Sequence, residues 1–169
     1  MTESDVSLAE LVSRYRSDPL GYARVAFPWG EPGTALEFHK GPCPCQVKIL
    51  SVLGREIRKR KFDGHTPVKP IRIAVGTGHG VGKSACIGMI DNFIRSTRPR
   101  CKGMVLANTG DQLSTKTWAA IRTWNKLSLT AHWFEDTTER VSMIGERDSW
   151  FSTAVIWSID RPEAIAGLH

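Results

Sequence analysis

The stretch Gly76-Thr77-Gly78-His79-Gly80-Val81-Gly82-Lys83-Ser84 carries the residue types that hold a chain of phosphates. Glycines let successive backbone N–H groups turn toward one anion, and a helix that follows presents its own N-terminus to it. A lysine reaches the β- and γ-phosphates, and a serine hydroxyl completes the shell of a magnesium ion. On this reading Gly78, His79, Gly80, Val81, Gly82, Lys83 and Ser84 bind the ligand. Lys83 is the catalytic cation, Ser84 the metal ligand, and the cofactors are ATP and Mg²⁺. The spacing departs from the usual G-x-x-x-x-G-K-[ST] at one place. Thr77, between Gly76 and Gly78, stands where that pattern has its first glycine, although the density of glycines supplies the same backbone freedom. The alternative is a glycine-rich turn between a strand and a helix that binds no nucleotide.

Such a loop works only when a strand leads into it and a helix leads out. The run "IRIAV" (71–75) is short and β-branched and predicts that strand, and a helical pattern follows Ser84. "GMVLA" (103–107) predicts a second buried strand. "NTGDQLSTKTWAAIRTWNKL" (108–127) predicts a helix, with Thr109 and Gln112 at capping-box spacing and Leu113, Thr117, Ile121 and Trp124 along one face. "RVSMIG" and "FSTAVIWSI" predict two more strands, with "ERDSW" as the turn between them.

The segment before the loop has helical signals of its own. Leu8, Leu11, Val12 and Tyr15 share a face, Asp18 and Pro19 suit a helix start, and Ile49, Leu50, Leu53 and Ile57 form a stripe. Between them "PWGEPGTALEFHKGPCPC" is rich in proline and glycine and predicts irregular chain. Arg55, Arg58, Lys59, Arg60 and Lys61 close the third helical pattern. They read as a solvated helix end that complements the helix dipole, with a DNA-facing patch as the alternative. Strands alternating with helices predict an α/β, P-loop NTPase-like three-layer domain with a mostly parallel sheet. Two parts are expected: an N-terminal helical segment over 1–65 and a partial P-loop core over 66–169.

Composition bounds the class. The 169 residues are 41% hydrophobic and 24% charged, as in ordinary globular chains, and the net charge is +6, which modestly favours polyanionic partners. No apolar run reaches the roughly 18 residues needed to span a bilayer, and the polar N-terminus lacks the features of a signal peptide, so a cytoplasmic protein without a membrane partner is expected. Cys43, Cys45, Cys86 and Cys101 do not make a disulfide framework in that setting. His39, Cys43 and Cys45 invite a zinc reading, but no second ligand pair accompanies them, and a proline-rich turn with incidental thiols is the simpler account.

These residues resemble the large terminase subunit of tailed bacteriophages, the ATPase-nuclease that packages viral DNA. "DPLGYARVAFPWG" resembles the N-terminal helical segment of that family, and "PCPCQVKIL" the segment with its adenine-recognising glutamine, which would be Gln46. "LANTGDQLSTKTWAAIRTW" resembles the strand and helix after the phosphate loop, and "AIAGLH" the approach to the second acidic motif. The resemblance covers most of the chain in order. It implies ATP-driven DNA translocation in the complete protein, with double-stranded DNA, the portal protein and the small terminase subunit as partners and self-association as a further possibility. Two positions depart from the family: Cys45 stands where many members have an aromatic residue before the glutamine, and His79 where many have a loop arginine.

Phosphoryl transfer in such folds also needs an apolar strand ending in an aspartate, with a glutamate beside it. Asp160 follows an apolar run, but Arg161 occupies the next position, and Asp91 falls inside the helix after the loop. Both read as structural. The resemblance places the acidic strand after His169, so the expectation is a truncated terminase portion that binds nucleotide weakly and hydrolyses it slowly or not at all. The alternatives are a non-hydrolysing module that binds terminase or another phage component, and another P-loop DNA motor such as a helicase.

Overall fold

A computed structural model describes residues 3–78, 80–107, 109–110 and 113–156. The N-terminal third is helical. Helix α1 spans Glu3–Ser13, α2 Pro19–Val25 and α3 Pro44–Arg60. Asp18 caps α2 as its sequence suggests, its carboxylate accepting from the Gly21 amide at 3.0 Å, with Pro19 in the first turn where no N–H is needed. The stripe on α3 is buried at Leu50, Leu53 and Ile57 against Val12, Tyr22 and Phe27.

Helix α4, Lys83–Thr97, crosses both halves of the molecule. Its Met89 and Phe93 enter the core made by α1 to α3, while its opposite flank meets α5, Ala119–Leu127. Gly88 permits that contact: a Cβ there would lie 2.8 Å from the Trp124 ring, and any larger residue would push the two helices apart. Below the ring contact the interface turns polar. Asn92 accepts from the Tyr22 hydroxyl at 2.7 Å and donates to Ser128 at 3.1 Å, and Ser96 meets Thr130 at 2.9 Å. Arg95 donates to Asp91 at 2.9 Å and to Asn125 at 3.1 and 3.2 Å, its guanidinium 4.5 Å from the centre of the Phe134 ring. Burial of these groups is sustainable because each finds partners in place of water.

The sheet has four strands in the order β1-β4-β3-β2: β1 Lys102–Ala107, β2 Phe134–Asp136, β3 Arg140–Met143 and β4 Phe151–Ile156. Only β1 and β4 run parallel, with Lys102 opposite Phe151; β4–β3 and β3–β2 are antiparallel. The expected mostly parallel sheet is therefore corrected to a mixed one. The reason is local: residues 144–150 form a tight turn, and two strands joined by a short turn can pair only antiparallel. The parallel pair is joined by the long connection that parallel pairing requires, one that contains α5 as well as β2 and β3.

The described helices that pack on the sheet lie on one side. Val105, Ala107 and Ala154 meet Leu113, Trp118 and Ile121, and Ser152 donates to Asp91 of α4 at 2.5 Å. On the other side Phe151 is covered by the Arg140 guanidinium, 4.0 Å from its ring centre, and Leu106 is exposed.

Two further expectations change. Residues 71–75 are not part of the sheet, and Ile73 and Val75 are 38% and 42% exposed. β-branched residues favour a pleated surface, but a ladder needs a neighbouring strand, and none pairs with this segment among the described residues. The helix expected over 108–127 includes a π-helical run, Leu113–Trp118, before α5 begins. The wider turn brings Trp118 to the buried face five residues after Leu113, a spacing that the α-helical period misses. The expected capping partner Gln112 lies outside the described residues. The basic end of α3 is structural where it is bonded: Arg58 donates to the Ser17 carbonyl at 2.7 Å, and Arg60 to the Lys69 and Pro70 carbonyls and Glu56.

Candidate phosphate loop and adjoining cavity

The loop ends where α4 begins. Gly82 is the residue before the helix, with φ +78°, and its carbonyl accepts the first helical bond from the Cys86 amide at 2.9 Å. An L side chain is strained at that φ, and a Cβ would also stand 2.6 Å from the Gln46 amide nitrogen. Glycine is therefore required at 82 on two counts. Gly80 shares the left-handed conformation at φ +77°, whereas Gly76 and Gly78 have open space around them and no positive φ. Val81 lies half-buried between the two left-handed glycines. His79 lies outside the described residues.

Lys83 opens α4 and folds back over the loop, donating to the Thr77 carbonyl at 3.3 Å and to the Gly78 carbonyl. Its ammonium is held by the loop's own acceptors, with no carboxylate among the partners described for it. An anion arriving at the helix start would compete with neutral carbonyls rather than with a salt bridge, and it would meet the helix dipole and a cation together. Ser84 follows in the first turn of α4, half-buried.

Gln46 lies beside this loop although 36 residues separate it from Gly82. Its side-chain nitrogen donates to the Gly82 carbonyl at 3.1 Å, and its side-chain oxygen accepts from the Cys43 amide at 2.9 Å. The second bond is half of a capping box that starts α3. Cys43 also touches the loop, its thiol donating to the Val81 carbonyl at 3.7 Å. The start of α3 is thus pinned to the start of α4.

Next to the pinned loop is a cavity of about 550 Å³, lined by Trp29, His39, Gln46, Gly80, Val81 and Gly82 among others. Its size is that of a small-molecule site. Trp29 is set rigidly: its indole N–H donates to the Ala23 carbonyl at 2.7 Å, and its ring rests 5.6 Å from Trp124 and 6.2 Å from Phe27, centre to centre. Nothing in the pattern of "FPWGEPG" singles Trp29 out, because the segment has no periodicity; only the tertiary fold carries it to the loop.

A second cavity of about 520 Å³ is lined by Ile49, Leu53 and Ile57 of α3, by Ile71, Ile73 and Val75, and by Ile87 and Ile94 of α4, and it is this cavity, not the one beside Trp29, that Lys83 lines. The carboxylate considered within α4 does not serve the loop: Asp91 is bound by Arg95 and Ser152 on the side of the helix facing the sheet. Asp160 lies outside the described residues.

The cysteines differ in surroundings. Burial, reinforced by the neighbouring Cys45 and Cys43 thiols, pushes the Cys86 thiol up to about 12, and burial raises Cys101 to about 11. Among the described residues no group of three or more His, Cys, Asp or Glu side chains is placed to hold a metal ion. No helix of the described residues is long and apolar enough to cross a membrane. No family model, curated protein or solved structure matches the chain.

Proposed function

We propose that the chain binds a nucleoside triphosphate such as ATP, with its phosphates on residues 80–84 and its base in the adjoining cavity. One observation carries this reading: two left-handed glycines that line a cavity of nucleotide size lead straight into a helix start, where Lys83 folds back over the loop from the side of the second cavity. The backbone amides and the helix dipole would face the phosphates, and Lys83 would leave its carbonyl partners for a phosphate oxygen. Magnesium, when bound with the nucleotide, supplies charge neutralisation. The Ser84 hydroxyl, in the first turn of α4, would be its protein ligand.

The resemblance to terminase large subunits extends this to a biological role: the ATP-binding portion of a viral DNA-packaging motor, with duplex DNA, the portal and the small subunit as partners. The described residues bring no free carboxylate to the loop, so we propose binding rather than efficient hydrolysis for this chain. A thermal-shift titration with Mg-ATP and an ADP control tests the reading. Nucleotide at 100 times its Kd stabilises a protein by about 2.7 kcal/mol. No shift at millimolar nucleotide would overturn it.

A second reading, an interaction module that does not turn over nucleotide, is favoured by the apolar groove on the other flank of α4, where Ile73, Val75, Ile87 and Ile94 are each more than a third exposed. Exposed apolar patches of this kind mark association surfaces. Light scattering over a concentration series tests self-association, and a pull-down with labelled terminase tests the other partner.

A further inference from the structure

We infer that the cavity beside the loop holds a nucleobase by its face, on Trp29, and does not read its edge through Gln46. The inference rests on the nucleotide reading above and concerns which residues of this chain decide base preference.

A glutamine that selects adenine must offer its amide to the base edge. Here the Gln46 amide is 6% exposed and its two ends are engaged, the nitrogen on the Gly82 carbonyl and the oxygen on the Cys43 amide. Turning it toward a base would break the bond that caps α3 and the bond that holds the loop. One N–H and one lone pair remain on the amide, but with the side chain buried and fixed at both ends it is not free to turn them together to a base edge. Gln46 is therefore a positioning residue: it fixes the loop against α3.

The flat surface comes from elsewhere. Cys45 has no ring, and Trp124, 8% exposed, packs against Gly88 and Phe27. Trp29 is half-buried, tied at its indole nitrogen, backed by Phe27 and Trp124, and lines the same cavity as Gly80 and Gly82. A ring immobilised before the ligand arrives can stack on a base at little entropic cost. Stacking depends on π surface rather than on hydrogen-bond pattern. Adenine and guanine should therefore bind alike, and the smaller pyrimidines less well.

The test is calorimetric titration of the full chain with the magnesium complexes of ATP, GTP, UTP and tripolyphosphate, in the wild type and in Trp29→Ala, Trp29→Leu and Trp29→Phe. Expected are ATP and GTP affinities within about threefold of each other, and UTP weaker. Trp29→Ala and Trp29→Leu should weaken ATP roughly tenfold or more and leave tripolyphosphate unchanged, with Trp29→Phe recovering most of the loss. Should Trp29→Ala not fold, the Leu and Phe pair carries the comparison, since both fill the space and only one has a ring. An ATP preference over GTP above about tenfold, equal loss of ATP and tripolyphosphate, or no effect of Trp29→Leu would overturn the inference while leaving phosphate binding standing. Failure of wild type to bind either ATP or tripolyphosphate would instead remove the nucleotide reading itself.

Discussion

The two ends of helix α4 handle polarity in opposite ways. At its far end Asn92, Arg95, Ser96 and Arg98 are buried, and apart from the Arg98 Nε their polar groups are bonded to other side chains or to backbone carbonyls. At its start Lys83 and Ser84 are half-exposed, and among the described residues the hydrogen-bond partners of the Lys83 ammonium are the carbonyls of the loop that it closes. Polarity at the far end is spent on holding α4 to α5 and the sheet, whereas polarity at the start is left exchangeable. A helix firmly anchored at one end can present the other to a ligand without distortion when the ligand binds.

Removing an anchor should therefore cost far more stability than removing a loop group. Arg95→Ala strands Asp91 beside the sheet without its cation, and the expected loss is about 3–5 kcal/mol by urea unfolding. A loss below about 1 kcal/mol would show the far end to be no anchor. Lys83→Ala is the converse: urea stability stays close to wild type, but the Mg-ATP shift, about 2.7 kcal/mol at saturating nucleotide, disappears. An undiminished shift would place the phosphates elsewhere.

Gly82→Ala sits between these, because 82 is both the helix start and the contact with Gln46. It should cost about 1–2 kcal/mol from its left-handed backbone alone and weaken nucleotide binding, whereas Gly76→Ala, with open space and ordinary φ, should be close to neutral. Equal effects at the two positions would erase the distinction.

Two smaller effects concern titration. With its thiol raised to about 12, Cys86 stays protonated at pH 8, so it should be among the last cysteines alkylated in the folded protein and react readily once unfolded; mass spectrometry of iodoacetamide-treated protein reads this. The Asp63 carboxylate accepts from the backbone amides of Thr66 and His65, which lower it from 3.8 to about 2. Its contribution to stability is present above pH 3.8 and fades as the pH falls through about 2. An NMR titration of Asp63 with a midpoint near 3.8 would show that this turn does not form in solution.

Legibility followed locality. The caps and stripes of α2 and α3 could be read because a helix start needs its acceptor within three residues and an apolar face repeats every turn. The strands β1, β3 and β4 were visible as short apolar runs, while β2, three residues long, left no pattern to detect. The direction of pairing was implicit in "ERDSW", whose shortness already forbids a parallel neighbour, and the general α/β expectation obscured it. The candidate site divides the same way: the glycines, Lys83 and Ser84 lie within nine residues of one another, whereas Trp29 lies 51 residues before Gly80 in an aperiodic segment.

The sequence by itself determined the glycine, lysine and serine spacing of the loop, the helix caps and the apolar faces, because each depends on residues within a few positions of one another. Tertiary structure alone decided three things. It left Ile71–Val75 outside the sheet, since pairing depends on which strands are beside it. It bonded Gln46 to the Gly82 carbonyl and the Cys43 amide, since those partners are set by how α3 meets α4. It brought Trp29 to the loop's cavity, since a buried polar or aromatic side chain takes its role from the groups that replace water around it.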